Sequence, residues 1–510
     1  MSTAEPKTRS PAFPGRISLT DVEPGELRAA CQNALATGAR MQMAYAWFPD
    51  RSSQPEVRYL LHWRGRHPLQ LWRTRPQADS LPSLAPLAPL LSWYEREITE
   101  LCGVTFQDQP QPDPLVLLPG ARATRPPLIP GPPVSLEYTP AAHSGLPEMT
   151  GPASGDVQWL PFGPIRADVL ESAQFDFFYL GEAILHYHPQ LFFKHRGMEK
   201  RFEGVRPELG VVLAERVSAV GGVAHALAYC QALEAAARCT VPPRAAYLRV
   251  LLAELERLYN HLHYLGHLCH TTTLKVGEAQ GKYLEELAKQ MNARATGSRL
   301  LRSLLTPGGL RREPSLAGLT QALEQIEREY LPYAAMLEAS TTHLDRLITT
   351  GHLSPQLAFD QGATGPIERA SGLDRDLRRD YPYAAYGELP FELVSSEGCD
   401  AHARAQVRMA EITRSIELIR CIERELPAGA IRAPCEPQAR TEGLGWAESP
   451  RGSLYYAVHL NDIGTLARVK IKSPSFSNWR VFPFTVHDSN MMDYAINEAS
   501  FGLTIAGCAR

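Results

Sequence analysis

The sequence predicts an α+β protein: a small N-terminal α+β domain, then a mainly α-helical bundle domain flanked by small β-sheets. Three observations predict this. Residues 38–74 hold three short runs with the period-two alternation of half-buried strands, preceded by one helical segment. A stretch dense in proline and glycine, 120–156, then interrupts the chain. Beyond it, apolar residues recur at helical spacing along 248–268, 319–347 and 403–422, the pattern of long helices that bury one face in a bundle. A chain of 510 residues has room for two or three domains, each with its own core.

In chain order, residues 1–20 mix proline, serine and charge and read as a disordered tail with no signal-peptide core. The domain 21–119 opens with a helix over about 24–36, followed by the strands M-Q-M-A-Y-A-W-F, V-R-Y-L-L-H-W and L-Q-L-W-R-T. A second helix, about 90–101, carries E-R-E and stops at Gly103, the residue type that most easily takes the left-handed conformation ending a helix. In 120–156 repeated proline blocks helix and removes ladder donors, so this is an extended linker over the surface. The domain 157–510 begins with alternation over 159–182 that fits a β-hairpin or small sheet.

Composition narrows the function. Lysine plus arginine total 52 against 55 acidic residues, a formal net charge of −3, so nothing draws the chain to nucleic acid. The nine cysteines are scattered, odd in number and nowhere spaced C-x-x-C, which argues against a disulfide framework or a self-contained zinc or iron-sulfur site. They read as reduced thiols of a cytosolic protein. No apolar run approaches the roughly 18–20 residues of a membrane helix; at a membrane, partner subunits would have to hold the chain. Neither G-x-G-x-x-G nor a P-loop is present, so direct NAD or ATP binding is not expected. His261, His263, His267 and His270 crowd the end of one helix; pairs sharing a face could bind zinc, but they read as surface and last-turn residues complementing the helix dipole.

Residues 215–234, E-R-V-S-A-V-G-G-V-A-H-A-L-A-Y-C-Q-A-L-E, resemble the first metal-binding segment of the large subunit of nickel-iron hydrogenases, where Arg-Ile-Cys-Gly-x-Cys precedes a small-residue helix. The two cysteine positions hold Ser218 and Gly221. The last eleven residues, S-F-G-L-T-I-A-G-C-A-R, superpose without a gap on the family's Ser-x-Asp-Pro-Cys-x-x-Cys-x-x-Arg, putting Thr504 and Gly507 at the other two and leaving Cys508 one residue out of register. Between them H-R-G-M-E-K, A-T-G-P-I-E-R-A-S-G, D-L-R-R-D-Y-P-Y, E-S-P-R-G-S and V-K-I-K-S-P-S-F-S-N-W follow in the family's order. Glu95, Arg96, Glu97, Gly103 and Phe106 match the hallmark of the C subunit of NADH:quinone oxidoreductase, with Glu100 where that family has Asp.

The chain thus resembles a fusion of the C and D subunits of NADH:quinone oxidoreductase, an arrangement shared with the large subunit of energy-converting, formate hydrogenlyase-type nickel-iron hydrogenases, in a form lacking the ligand cysteines. The resemblance implies a cytosol-facing large subunit of a membrane-associated oxidoreductase complex, peripheral on the cytoplasmic face of the inner membrane. It implies a small iron-sulfur subunit with a 4Fe-4S cluster, a ferredoxin-like subunit and antiporter-like membrane subunits as partners, with no metal or cofactor held by this chain. The expected role is coupling electron transfer to ion translocation. Reduction of a quinone or other small acceptor in the retained cavity, and a purely structural scaffold, are the alternatives. For quinone, the family's Tyr falls on Ala219, its hairpin His near Arg166 and the supporting Asp near Thr271. What the family cavity retains is Arg196, Glu199, Glu215, Arg216, His225 and Arg451, either as structural ion pairs or as the lining of a hydrated cavity.

Overall fold

The computed structural model describes residues 17–49, 54–63, 68–118, 120–132, 134–139, 156–166, 171–487 and 489–510. The expected tail up to residue 16 and the linker core 140–155 lie outside the described residues.

The N-terminal unit is a four-stranded sheet. Ala39–Trp47, Glu56–Trp63 and Leu69–Thr74 form an antiparallel meander, and a strand that sequence reading missed, Ile17–Asp21, adds parallel to Leu69–Thr74 at the edge. That strand starts inside the stretch expected to be tail. The helix Leu27–Ala36 packs against the sheet through Leu27, Cys31 and Ala34.

The strands were expected to be half-buried, but Ala39–Trp47 and Glu56–Trp63 are buried almost throughout. Their alternate polar residues meet the second unit rather than water. Arg40 donates to the Glu368 carboxylate at 2.6 Å, Arg58 to Glu442 at 2.6 Å, and Trp47 stacks on His459 with ring centroids 4.4 Å apart. One continuous apolar core spans both units.

The helix Ser92–Cys102 ends at Gly103 in the left-handed conformation (φ 78°). Its acids do not form a solvated face. Glu95 is buried against the Ser83 hydroxyl, Glu97 bonds Lys470 and Arg510, and Glu100 accepts three backbone amides from Leu115, Val116 and Leu117. In the described parts of the linker, Ala121–Ala123 pairs with Leu136–Tyr138, and the Leu128 amide bonds the Leu101 carbonyl.

The C-terminal unit begins with an antiparallel sheet of Gln158–Phe162, Gln174–Leu180 and Ala183–Gln190. The helices Gly222–Ala237, Pro243–Thr271, Lys275–Thr296, Leu319–Ala339 and Ala401–Glu425 form the bundle, and a second antiparallel sheet, Glu442–Ser449, Gly452–Leu460 and Leu466–Lys472, closes it. The helical pattern over 319–347 is broken at Ser340, whose extended backbone separates Thr341–Leu347.

The helix Gly222–Ala237 is almost wholly buried because its alanines let it lie directly on the strand Glu442–Ser449. A Cβ at Gly443 would stand 1.9 Å from the Ala232 carbonyl, and one at Gly445 would stand 2.1 Å from that of Ala228. Only hydrogen fits at either position. This contact fixes the helix whose N-terminus forms one wall of the site.

Candidate functional site

Two chain segments far apart in sequence meet at the N-termini of two helices. Ser218, extended, precedes the 3₁₀ turn Ala219–Gly221 and the helix Gly222–Ala237. Its hydroxyl lies 3.4 Å from that of Thr504, which caps Ile505–Ala509 by accepting the Gly507 amide at 3.2 Å. Ser475 completes the cluster, its hydroxyl 3.3 Å from Thr504 Oγ1 and accepting the Thr504 amide at 3.3 Å.

Helix N-termini expose amides that need acceptors, and two carboxylates supply them. Glu256, on the long helix, accepts the Val223 and Ala224 amides at 2.7 and 3.0 Å; Glu171 accepts those of Ile505 and Ala506 at 2.5 and 3.1 Å. Burial pushes Glu256 up to about 7. Glu256 lies in the long-helix pattern 248–268 and Glu171 in the alternating stretch 159–182, but neither acid had a role in the sequence reading, since capping across the fold leaves no local spacing. Ser475 was inside a quoted motif, S-P-S-F, without a role.

The gapless register of the last eleven residues puts Thr504 at one of the ligand positions, and in the fold its hydroxyl lies beside that of Ser218. The four positions equivalent to cysteine ligands therefore gather two hydroxyls, Ser218 and Thr504, and two glycines, Gly221 and Gly507. A Cβ at Gly507 would stand 2.5 Å from Thr504 Oγ1, so the hydroxyls occupy the room a larger side chain would need. Nickel and iron in such a frame are held by soft thiolates; hydroxyls and hydrogen atoms do not fit that centre. Cys508 is fully buried, and burial pushes its thiol far up.

The charged candidates divide in two. Arg196, Arg451 and His225 sit around the cluster. Arg196 donates to the carbonyls of Arg216 (3.0 Å), Val217 (2.6 Å) and Ala506 (3.2 Å), tying the two segments together. Arg451 donates to the Gly502 carbonyl (2.7 Å) and to Asn260 Oδ1 (2.8 Å); burial pulls it down to about 10. His225 Nδ1 shares a 2.8 Å hydrogen bond with the Tyr456 hydroxyl; burial, then the Arg196 charge, lowers it to about 3, so the imidazole is neutral.

The others are engaged elsewhere. Glu199 is buried among Arg468 (2.7 Å), Lys470 (3.3 Å) and Arg510 (3.4 Å), whose charges hold it far below the ordinary carboxylate range against its burial. Glu215 is buried and accepts the Ser303 amide at 2.8 Å, while Arg216 is exposed and donates to the Val212 carbonyl. Arg166 forms a two-pronged ion pair with Glu498 (3.0 and 3.1 Å) over the rings of Phe162 and Phe175. At the quinone-equivalent positions, Ala219 is exposed and Thr271 bonds back to Leu268.

Comparison with known proteins gives the family. Family models for the respiratory-chain NADH dehydrogenase 30 Kd subunit match residues 21–139, and for the 49 Kd subunit residues 284–442 and 436–510; a nickel-dependent hydrogenase model matches 196–299. Formate hydrogenlyase subunit 5 of Escherichia coli (strain K12) is 31% identical over 424 residues, spanning 81% of this chain and 74% of that protein. The chain belongs to this family. The fused C/D-type NADH-quinone oxidoreductase subunit of Gluconacetobacter diazotrophicus is 29% identical over 471 residues, covering 80% of this chain and 75% of its own. A chain from the membrane-bound sulfane sulfur reductase, described as an archaeal respiratory membrane complex, shares the fold with a TM-score of 0.66 at 22% identity, over 71% of this chain and all of that one.

In this member the family's ordered motifs converge on one buried charge network. Arg369 pairs with Asp376 (3.0 Å) and Glu411 (2.8 Å), Arg378 with Asp376 (2.7 Å) and Glu411 (2.5 Å), and Arg257 with Glu254 (3.3 Å). His261 joins it through Glu411 at 2.8 Å. Unpaired burial of such charges would be prohibitive, and paired burial is what makes them tolerable. Glu448 of E-S-P-R lines a small cavity at the junction of the two units together with Arg40, His62 and Glu368; burial, then the Asp376 charge, pushes it up to about 8. His261 was expected at the surface with its three helix neighbours but is buried; His263, His267 and His270 are exposed, His263 meeting Glu285 and His270 meeting Glu278, both at 3.0 Å.

Proposed function

We propose that this chain is the large, cytosol-facing subunit of a membrane-associated oxidoreductase complex related to NADH:quinone oxidoreductase and energy-converting hydrogenase, and that it works without a nickel-iron centre of its own. The observation that carries this is the meeting of Ser218 and Thr504, with Gly221 and Gly507, where the family frame places four thiolates. The relatives' names support the setting, since they are subunits of formate hydrogenlyase and NADH-quinone oxidoreductase.

In this reading a small iron-sulfur subunit holds the 4Fe-4S cluster beside the hydroxyl cluster, a ferredoxin-like subunit supplies electrons, and antiporter-like subunits hold the assembly at the cytoplasmic face of the membrane. Among the described residues no single helix is long and apolar enough to cross a membrane. The bent pair Pro207–Ala214 and Ala219–Ala237 passes by composition, but the helix Gly222–Ala237 is core. The chain's part is to couple electron transfer between its partners to ion movement, through buried charges such as Arg369, which meets both Glu448 (3.5 Å) and Asp376 (3.0 Å). Reduction of a small acceptor by Arg166 finds no support, because that guanidinium is held by Glu498. Metal analysis of the purified complex tests the proposal: the iron of the partner's cluster without nickel is expected, and one nickel per chain overturns it.

A further inference from the structure

All nine cysteines carry free thiols, and seven are buried. The two that are half-exposed, Cys239 and Cys435, lie together although far apart in sequence. Cys239 follows the helix Gly222–Ala237, where Arg238 turns left-handed (φ 51°) and the Cys239 amide bonds the Glu234 carbonyl at 2.9 Å. Cys435 lies between the helix Ala401–Glu425 and the strand Glu442–Ser449, in a segment fixed by the Ala433 amide on the Gly308 carbonyl at 2.9 Å. The Cys239 thiol donates at 3.3 Å to the carbonyl of Pro434, the residue before Cys435, so the two cysteines are spatial neighbours. Nothing in the proposed function uses either residue.

We propose that Cys239 and Cys435 form a reversible dithiol–disulfide pair, the site on this chain that reacts with low-molecular-weight disulfides such as oxidised glutathione. The Cys239 sulfur loses its proton and attacks one sulfur of the glutathione disulfide, and the first glutathione leaves as a thiol after taking up a proton. Cys435 then attacks the Cys239 sulfur of the mixed disulfide and expels the second glutathione. Two electrons and two protons pass from the protein to the glutathione disulfide, leaving one protein disulfide and two glutathione thiols. Cys239 is the first to react. Burial raises both thiols and Arg249 lowers both, but the neighbouring Cys435 favours the Cys239 thiolate while Cys239 disfavours that of Cys435. In a reducing compartment the pair stands as thiols, and such pairs act there as transient sensors. Once formed, the bond would staple the far end of the helix that begins at the hydroxyl cluster to the segment leading into the strand on which that helix packs.

The experiment equilibrates the native full-length protein, in its complex, with glutathione buffers of increasing oxidised fraction and maps peptides without reduction. The expected result is a Cys239–Cys435 linked peptide, with both accessible thiols lost in one transition and recovered on reduction. In a Cys435→Ser variant, Cys239 should instead stop as a glutathione adduct. A wild-type protein in which both thiols stay free across the series, or in which Cys239 carries glutathione while Cys435 stays free, overturns the proposal.

Discussion

The hydroxyls of Ser218 and Thr504 stand 3.4 Å apart although 286 positions separate them in the chain. Each sits at the start of a helix whose first amides are held by a buried carboxylate, Glu256 in one case and Glu171 in the other. The pair marks where a hydrogenase-like frame closes, and what closes it is oxygen rather than sulfur.

That closeness is directly testable. The double variant Ser218→Cys/Thr504→Cys places two sulfurs within bonding reach, so mild oxidation should produce a disulfide seen by peptide mapping. Two thiols that remain free under oxidant in a folded double variant would show that the segments do not meet as described.

The approach of the small-residue helix to the second sheet predicts a large effect from a small change. Gly445→Ala puts a methyl group 2.1 Å from the Ala228 carbonyl, and backbone cannot yield cheaply. Overpacking of this kind costs ~1–3 kcal/mol, read as a lowered denaturant midpoint. A variant as stable as the parent contradicts the packing.

The junction between the two units rests on buried charge. Glu97 joins Lys470 (2.6 Å) and Arg510 (2.7 Å) of the C-terminal unit. Glu97→Gln leaves two buried cations leaning on Glu199 alone and should destabilise the chain by about 3–5 kcal/mol. A shift below about 1 kcal/mol, typical of an exposed pair, would mean that this junction is hydrated.

Two buried histidines each contribute stability that is lost as pH falls. His225 and His62 have folded values lowered to about 3, mainly by burial, against an ordinary 6.5. Between those values the unfolded chain binds a proton at each site and the folded chain does not, so the contribution of these two residues is fully present above pH 6.5 and is lost as pH falls toward 3. This is opposite in sense to that of Glu256 and Glu448, whose raised values favour the folded chain as pH falls toward 4.5. His225→Gln removes one titrating group while keeping a polar partner for Tyr456. The slope of unfolding free energy against pH in that window should drop by about 1.4 kcal/mol per unit; an unchanged slope would show that His225 is already protonated or exposed.

Much of this was legible in the sequence because it is periodic or ordered. The helices along 248–268, 319–347 and 403–422 follow from apolar spacing, apart from the break at Ser340, and Thr504 is placed at a ligand position by counting back from Arg510. What was not legible depends on contacts between distant segments. Arg40, Arg58 and Glu97 look like the wet side of ordinary amphipathic elements and become buried only because a second unit covers them. Glu171 and Glu256 cap helices that lie elsewhere in the chain, so no local motif announces them. The cavity residues were chosen as one set from the family frame. The fold separates Arg196, His225 and Arg451, at the hydroxyl cluster, from Glu199 and Arg166, which are closed into ion pairs of their own.

The measurement that bears most directly on the account is the nickel content of the purified complex, determined per copy of this chain alongside iron. Iron at the level of the partner's cluster with nickel near zero is the predicted result. Nickel at one atom per chain, lost when Ser218 and Thr504 are both replaced by alanine, would contradict it.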